Sequence, residues 1–292
     1  MDIAKTGEEL VKICEENSIS LSEYAILREM EDTDLTREKV ISKMQKVLDV
    51  MKNSAKEARD KEIYSVSGLI GGDAYKLEQY LKKGNSLTGD TMVLAMAMAL
   101  SSSEVNASMG KIVACPTAGS CGILPAALLT AGEKLSKSDD NLIKALFAAA
   151  AVGMIIGRNA TFAGAEGGCQ AECGSASAMA SAAIVEMMGG TPKMSLDAGA
   201  IVFKNILGLV CDPVAGLVEV PCAKRNVSGV INALCMADLV MAGVESKIPF
   251  DDAVSAMYKV GRNLPASLRE TGEGGVAVTK AGIALRKKVF GS

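Results

Sequence analysis

The clearest fold signal in the chain is the segment ALFAAAAVGMIIG, from Ala145 to Gly157. It has no charged residue over its 13 positions and is followed by Arg158, so it is shorter than the roughly 20 residues that span a bilayer. We interpret it as a buried helix. The alanine-rich runs predicted as helices are 91–101, 142–157, 176–187, 198–209 and 229–243.

The composition supports the same fold class. Aromatic residues are 3% of the chain, Trp is absent and Met reaches 16, so the core must be built from Ala, Leu, Ile, Val and Met. Such small and flexible side chains suit closely packed helices, and no segment keeps the alternation that is typical of strands. We therefore predict a mainly α, multi-helical protein, with short extended pieces near 111–115 and 217–220.

Charge density divides the chain into two regions. We predict a charged N-terminal helical region, 1–63, packed on a helical main domain, 64–292, which is rich in Gly, Ala and Ser. In the apolar middle of that domain, charged residues are few and are expected to be buried with partners. These residues are Arg158, Glu166 and Glu172.

The overall charge limits the classes of partner. A net charge of -3 and a pI of about 5.3 provide no basic field, so the sequence does not favour binding to nucleic acid or to an anionic membrane. A small-molecule partner is expected instead. The first residues include Asp2, Lys5 and Glu8 and lack the apolar run of a signal peptide, so we expect a cytoplasmic protein.

Histidine is absent and cysteine is frequent. The lack of histidine excludes a Ser-His-Asp or Cys-His mechanism and a His-ligated metal within this chain. The eight cysteines of a cytoplasmic protein are expected to stay reduced, so they either bind metal or are simply buried. Cys14 and Cys235 lie in helical apolar patterns and are predicted to be inert.

Three further cysteines lie on predicted loops beside glycine or proline: Cys169, Cys211 and Cys222. Loops of this kind can bring thiolates together at a metal cluster. The spacing matches neither ferredoxin runs nor Cys-x-x-Cys pairs, so spacing alone leaves the ligand set open. The competing ligand candidates are Cys115, Cys121 and Cys173.

The segment CPTAGSCG, from Cys115 to Gly122, is predicted to be a polar loop ahead of a helix. Free N–H groups at the start of a helix can bind an anion such as a substrate carboxylate. The candidate substrate-binding residues in this loop are Thr117, Gly119 and Ser120. An ordinary turn before a helix is the alternative interpretation.

Six segments of the chain resemble the iron–sulfur-dependent L-serine dehydratase family, and specifically its separate alpha subunit. They are SVSGLIGGD at 65–73, EVNASMG at 104–110, KIVACPTAGSCGILP at 111–125, GAEGGCQAE at 164–172, CDPVAGLVEVPC at 211–222 and LRET at 268–271. They occur in the same order as in that family, and the resemblance extends over nearly the whole chain.

The resemblance implies that loops of the main domain converge on an oxygen-sensitive [4Fe-4S] cluster held by Cys169, Cys211 and Cys222, with the other loop cysteines as non-ligands. The fourth iron would act as a Lewis acid on the hydroxyl of L-serine, and the products would be pyruvate and ammonia. The resemblance also implies a separate beta subunit and a hetero-oligomer. Single-chain relatives end in a cysteine that reaches the active site, whereas this chain ends VFGS, so that form of self-inhibition is not expected.

The resembling segments also provide candidates for the base that removes the α-proton. The candidates among their ionisable residues are Lys111, Glu166 and Glu172, with Lys111 as the first choice. A base supplied by the beta subunit is the alternative. Asn106 is expected, from its motif position, to help the loop residues Thr117, Gly119 and Ser120 hold the carboxylate and amino group of the substrate.

Three other functions compete with this interpretation. A pyridoxal-phosphate lyase would need a phosphate-binding loop, for which GEGG at 272–275 is a weak candidate. A cluster-based redox sensor would need a DNA-binding element, and no basic recognition helix is evident. A dehydratase or desulfidase of a related amino acid, such as threonine or cysteine, is the strongest rival.

Overall fold

The computed structural model describes residues 1–291, and Ser292, the last residue of the predicted main domain, lies outside them. Within that range the α-helices are α1 Gly7–Glu16, α2 Leu21–Thr33, α3 Arg37–Asp60, α4 Asp73–Leu81, α5 Asp90–Ala107, α6 Ile123–Lys134, α7 Asp139–Asn159, α8 Gly164–Gly167, α9 Ser175–Met187, α10 Pro192–Ile206, α11 Cys222–Met241, α12 Phe250–Asn263 and α13 Lys280–Phe290. Extended pairing among the described residues is limited to two isolated bridges, Tyr64 with Gly71 and Cys211 with Arg269. The mainly α fold class is therefore confirmed.

All five alanine-rich runs contribute to helices: α5, α7, α9, α10 and α11. The ends follow ordinary capping chemistry. Thr191 caps α10, because its side chain accepts a hydrogen bond from the Met194 N–H at 3.2 Å, and α10 ends before Gly208, whose φ of 86° is left-handed. Helix α11 begins at Cys222, earlier than its alanine-rich run predicts. The segments 111–115 and 217–220 are irregular and form no strand.

Helix α7 contains the apolar segment on which the fold prediction rests. By length and composition it is long and apolar enough to cross a membrane, yet 67% of its most apolar window is buried inside the protein. It packs against α2 on one side and α9 on another. These contacts are those of a core helix, as the sequence predicted.

Small residues set the distances between the central helices. Every residue of α9 from Ser175 to Val185 is buried. A Cβ added at Gly229 of α11 would lie 2.5 Å from Ile123 Cδ1, so α11 can approach α6 only because this position is glycine. Close packing of this kind replaces the bulky aromatic core that the composition excludes.

The N-terminal helices share the core of the main domain. Leu10, Leu21 and Leu48 are fully or almost fully buried in the same apolar cluster as α7 and α9. The hydroxyl of Ser101 on α5 accepts a hydrogen bond from the Ala58 N–H and donates one to the Ser54 carbonyl, which connects α3 to α5. The region 1–63 is thus packed on the rest of the chain, and its boundary at residue 63 stays a prediction.

Candidate active site

Four buried cysteines come together where the start of α11 meets the segment between α8 and α9. Cys169 precedes the π-helical turn Gln170–Gly174, which contains Cys173, and their Sγ atoms are 3.3 Å apart. Cys211 packs in one apolar cluster with both, and Cys222 lies close enough to Cys169 for their charges to interact. The three predicted ligands therefore share one site, with Cys173 among them. π-Helical turns are frequent at functional sites.

The backbone of Cys211 is fixed by a segment far along the chain. Its N–H donates to the Leu268 carbonyl at 2.8 Å, and its carbonyl accepts from the Glu270 N–H at 2.7 Å. The family-like segment 268–271 is thus brought directly beside Cys211. Glu270 adds a negative charge close enough to raise the pKa of Glu172.

Arg225 is the cation beside the cysteines. Its Nη1 donates to the Val210 carbonyl and its Nη2 to Asp212 Oδ1, both at 2.7 Å. Asp212 also accepts from the Val276 N–H at 2.6 Å, so the ion pair is held from two sides. A hydrogen bond with Cys173 lowers the pKa of Cys169, and the guanidinium charge adds to this effect. At Cys222 burial raises the pKa, and the guanidinium charge opposes that rise.

The loop from Cys115 to Gly122 contains a short 3-10 turn at Ala118–Ser120. Thr117 begins this turn. The Ser120 hydroxyl accepts a hydrogen bond from the Thr117 N–H, and the two hydroxyl groups are hydrogen-bonded to each other. Thr117 Oγ1 also donates to Glu172 Oε1 at 2.9 Å. This hydrogen bond joins the predicted substrate loop to the segment that carries Cys169 and Cys173.

Glu172 is half-buried between the loop and the cysteines. A Cβ added at Gly119 would lie 3.3 Å from Glu172 Oε1, and one added at Gly164 would lie 2.9 Å from Glu172 Oε2 and 3.1 Å from Cys211 Sγ. The absence of side chains at both glycines thus leaves space around the carboxylate. Glu172 faces that space together with Cys211.

Burial controls the protonation of several groups in the site. It raises the pKa of Glu172 to about 7, while the hydrogen bond from Thr117 lowers it and the charge of Glu270 raises it. Burial also raises the pKa of Cys222 to about 12 and that of Cys211 well above its usual range. A hydrogen bond with Cys173 lowers the pKa of Cys169. Metal binding at Cys211 and Cys222 would therefore release protons.

The other predicted bases are more exposed than Glu172. Lys111 and Glu166 are exposed, and neither side chain has a hydrogen-bond or ion-pair partner within residues 1–291. Arg158 is exposed as well. The prediction that charged residues in the apolar middle are buried with partners was therefore wrong for Arg158 and Glu166. Glu172 alone of the three is partly buried and hydrogen-bonded. Arg158 lies in the last turn of α7 and Glu166 in the short helix α8, and both side chains reach solvent.

The predicted substrate-binding residues are close together but differ in exposure. Asn106 Nδ2 donates to the Ala118 carbonyl at 3.2 Å, which connects the end of α5 to the loop. Thr117 and Gly119 are half-buried beside Glu172. Ser120 is fully buried, and its hydroxyl bonds only within the loop, so the structure gives it a part in the shape of the loop.

The chemistry of the donors fits an iron–sulfur cluster. Iron–sulfur clusters are held by thiolates, and Cys169, Cys211 and Cys222 are buried near one another, with Cys211 Sγ beside the open space at Gly164. Across the described part of the chain, no three His, Cys, Asp or Glu side chains are already gathered around one point as ligands of a single ion. The thiolates that hold a cluster bind different irons and lie further apart than the ligands of a single ion. The absence of such a group therefore applies to sites for a single metal ion.

Of the two cysteines predicted to be buried in helices, Cys14 is buried as expected, with 1% exposure, and Cys235 is not fully buried. Cys115 and Cys121 are buried within the substrate loop, where burial raises the pKa of Cys121 to about 12. The GEGG segment at 272–275 packs against Asp212 and the Ser267 carbonyl, so it fills a structural position.

Two residues of this site were missed by the sequence analysis, Arg225 and Asn226. Both follow Cys222 by about one turn of α11, and residues three and four apart lie on one face of a helix. That spacing was the available signal. It could not be used without knowing that a helix begins at Cys222.

The family model described as "Serine dehydratase alpha chain" matches residues 16–277. The "Probable L-serine dehydratase, alpha chain" of Bacillus subtilis (strain 168) is 50% identical over 284 residues, which are 97% of this chain and 94% of that protein. The "L-serine dehydratase, alpha chain" of Peptoniphilus asaccharolyticus is 49% identical over 282 residues, which are 97% of both chains.

A longer relative shows the same match over part of its length. The "L-serine dehydratase 2" of Escherichia coli (strain K12) is 32% identical over 284 residues, which are 94% of this chain but 61% of that protein. The chain is therefore similar to separate alpha chains from end to end and to one region of a larger protein.

Proposed function

We propose the function of this chain from the premise that it belongs to the serine dehydratase alpha chain family. Together with a beta subunit it converts L-serine to pyruvate and ammonia in the cytoplasm. The observation that carries the proposal is the position of Glu172. A half-buried carboxylate there is hydrogen-bonded to the predicted substrate loop and faces the predicted cluster ligand Cys211.

A separate beta subunit completes the enzyme in this proposal. Both relatives that match from end to end are named alpha chains. The longer relative has 39% of its length outside the matched region, since the match covers 61% of it. That outside region would correspond to the beta subunit, and the active assembly would be an α/β hetero-oligomer.

The cofactor of the proposed enzyme is a [4Fe-4S] cluster held by Cys169, Cys211 and Cys222. When bound, the cluster supplies a Lewis-acidic iron that makes the substrate hydroxyl a better leaving group. The cation of Arg225 offsets part of the negative charge that the thiolates bring together. Its ion pair with Asp212 keeps that charge in place.

Glu172 is the proposed general base, in preference to Lys111 and Glu166. Its carboxylate takes the proton from the α-carbon, and the electron pair of that C–H bond forms the new double bond. The hydroxyl departs from the β-carbon with its bonding pair as hydroxide, and together with the abstracted proton it leaves as water. Thr117 orients the carboxylate through its hydrogen bond. The resulting aminoacrylate tautomerises and hydrolyses to pyruvate and ammonia. Asn106 and the loop residues Thr117 and Gly119 would hold the substrate.

The direct test is an anaerobic assay of pyruvate formation from L-serine by the alpha chain co-expressed with its beta subunit. We expect brown protein that absorbs at about 400 nm, is active on L-serine and is inactivated by air. L-threonine and L-cysteine, assayed in parallel, test the rival substrates. Colourless protein that stays inactive after anaerobic cluster reconstitution would contradict the proposal.

The pH dependence tests the proposed pair of Thr117 and Glu172. Because Glu172 must be ionised to accept a proton, kcat/KM should rise with pH through an apparent pKa of about 7. Thr117→Val removes the hydrogen bond that lowers the pKa of Glu172, so this rise should move to higher pH. Thr130→Val, at a buried position on α6, is the control and should leave the profile unchanged. A Thr117→Val profile identical to that of the wild type would exclude the pair.

A further inference from the structure

Asn226 lies on the same face of α11 as the predicted ligand Cys222, one helical turn further on. Its side-chain Nδ2 donates to the Cys222 carbonyl at 3.0 Å. The side chain is 1% exposed and therefore has no access to solvent partners. Its amide is turned toward the loop from Cys115 to Gly122.

Two hydrogen bonds connect this amide to the substrate loop. Nδ2 donates to the Gly119 carbonyl at 2.8 Å, and Oδ1 accepts from the Gly122 N–H at 2.9 Å. The primary amide is suited to this task, because it carries donors and an acceptor on one small planar group. The two bonds hold the middle of the 3-10 turn and the residue immediately before α6 at the same time.

The other side of the loop is held by α5. A Cβ added at Gly122 would collide with the Ala99 carbonyl, so the loop backbone lies directly against that helix. Asn106, at the end of the same helix, binds the Ala118 carbonyl. The loop is therefore clamped between α5 and α11, and Asn226 is the link on the α11 side.

We propose that Asn226 is a positioning residue, which sets where the substrate loop stands relative to Cys222. This inference rests on the proposed function, since it assigns the loop residues Thr117 and Gly119 to the substrate. Asn226 itself does not contact the reacting atoms. Loss of its hydrogen bonds would let the loop move away from the cysteines and weaken the binding of L-serine.

Kinetics of the complete enzyme provide the first readout. Asn226→Ala removes both bonds to the loop, and Asn226→Asp keeps an acceptor for the Gly122 N–H but places a carboxylate against the Gly119 carbonyl. In both variants we expect KM for L-serine to rise by about 10-fold, with a smaller change in kcat. The matched control is Asn232→Ala, on the same helix, where the side chain contacts Val202 and Asn205 away from the loop.

A second readout does not depend on turnover. In protein prepared without the cluster, amide hydrogen exchange of the peptide 116–122 should be faster in Asn226→Ala than in the wild type, because the Gly122 N–H loses its acceptor. Asn232→Ala should exchange like the wild type there. Absorbance at about 400 nm and iron content per chain should be unchanged in all variants of the loaded enzyme.

The outcomes separate this inference from the proposed function. Unchanged KM in an active enzyme, or unchanged exchange at 116–122, would overturn the positioning role. Loss of absorbance in Asn226→Ala would assign the residue to cluster retention and overturn it as well. A wild-type complex with bound cluster that is inactive on L-serine would overturn the proposed function, and with it the substrate role of Asn226.

Discussion

Glu172→Gln should lower kcat for L-serine by about 100- to 10,000-fold, the range that general-base catalysis typically provides. The amide has nearly the same size and can still accept the hydrogen bond from Thr117, but it cannot take a proton from the α-carbon. The change therefore removes the proposed chemistry while leaving the contacts of the side chain largely intact. Steady-state kinetics under anaerobic conditions measure the effect.

Glu166→Gln is the matched control for this prediction. Glu166 belongs to the same family-like segment as Glu172 but is exposed, so its replacement should change kcat little. Lys111→Gln tests the base that the sequence favoured, and it too should be close to the wild type. A large loss in Lys111→Gln together with an active Glu172→Gln enzyme would restore the original assignment. Loss in neither variant would point to a base on the beta subunit.

Cys211→Ala should abolish the absorbance at about 400 nm and lower activity by at least about 100-fold, since even residues that only support metal ligands are worth 10- to 100-fold. Cys169→Ala and Cys222→Ala should behave alike. Each change removes one of the three thiolates that the proposal requires. Iron content, the visible spectrum and pyruvate formation are measured on the same anaerobic preparations.

Cys173→Ala distinguishes the proposed ligand set from its nearest rival. The Cys173 Sγ atom lies 3.3 Å from that of Cys169, and both side chains are buried, so geometry alone does not separate the two. We expect Cys173→Ala to keep iron and activity. If Cys173→Ala loses the cluster while Cys169→Ala keeps it, Cys173 is the ligand and the assignment taken from the family resemblance is wrong.

Local features of the sequence were sufficient for the fold class and for the family. The absence of charge from Ala145 to Gly157 and the repeated alanine-rich runs predict buried helices, because burial and helix propensity depend mainly on residues close in the chain. The resembling segments identify the family for a related reason. Each is a continuous stretch whose order of residues can be recognised without knowing what it contacts.

The choice among similar residues was decided only by the tertiary structure. In the sequence, Lys111, Glu166 and Glu172 are all candidate bases, with Lys111 as the first choice, because each is an ionisable residue in a family-like segment. Folding leaves Lys111 and Glu166 exposed and brings Glu172 to Thr117, 55 positions earlier in the chain. Burial then raises the pKa of Glu172 to about 7, although the hydrogen bond from Thr117 acts in the opposite direction.

The contacts that hold the loop from Cys115 to Gly122 between α5 and α11 were also decided only by the tertiary structure. Asn226 meets Gly119 across 107 positions of the chain, and Cys211 meets Glu270 through backbone groups that carry no side-chain signature. Contacts over such separations are set by how helices pack, and that packing depends here on small residues such as Gly122 and Gly229 that leave no periodic signal of their own. The sequence thus determined which helices form and which family they build, whereas packing determined which side chains meet at the site.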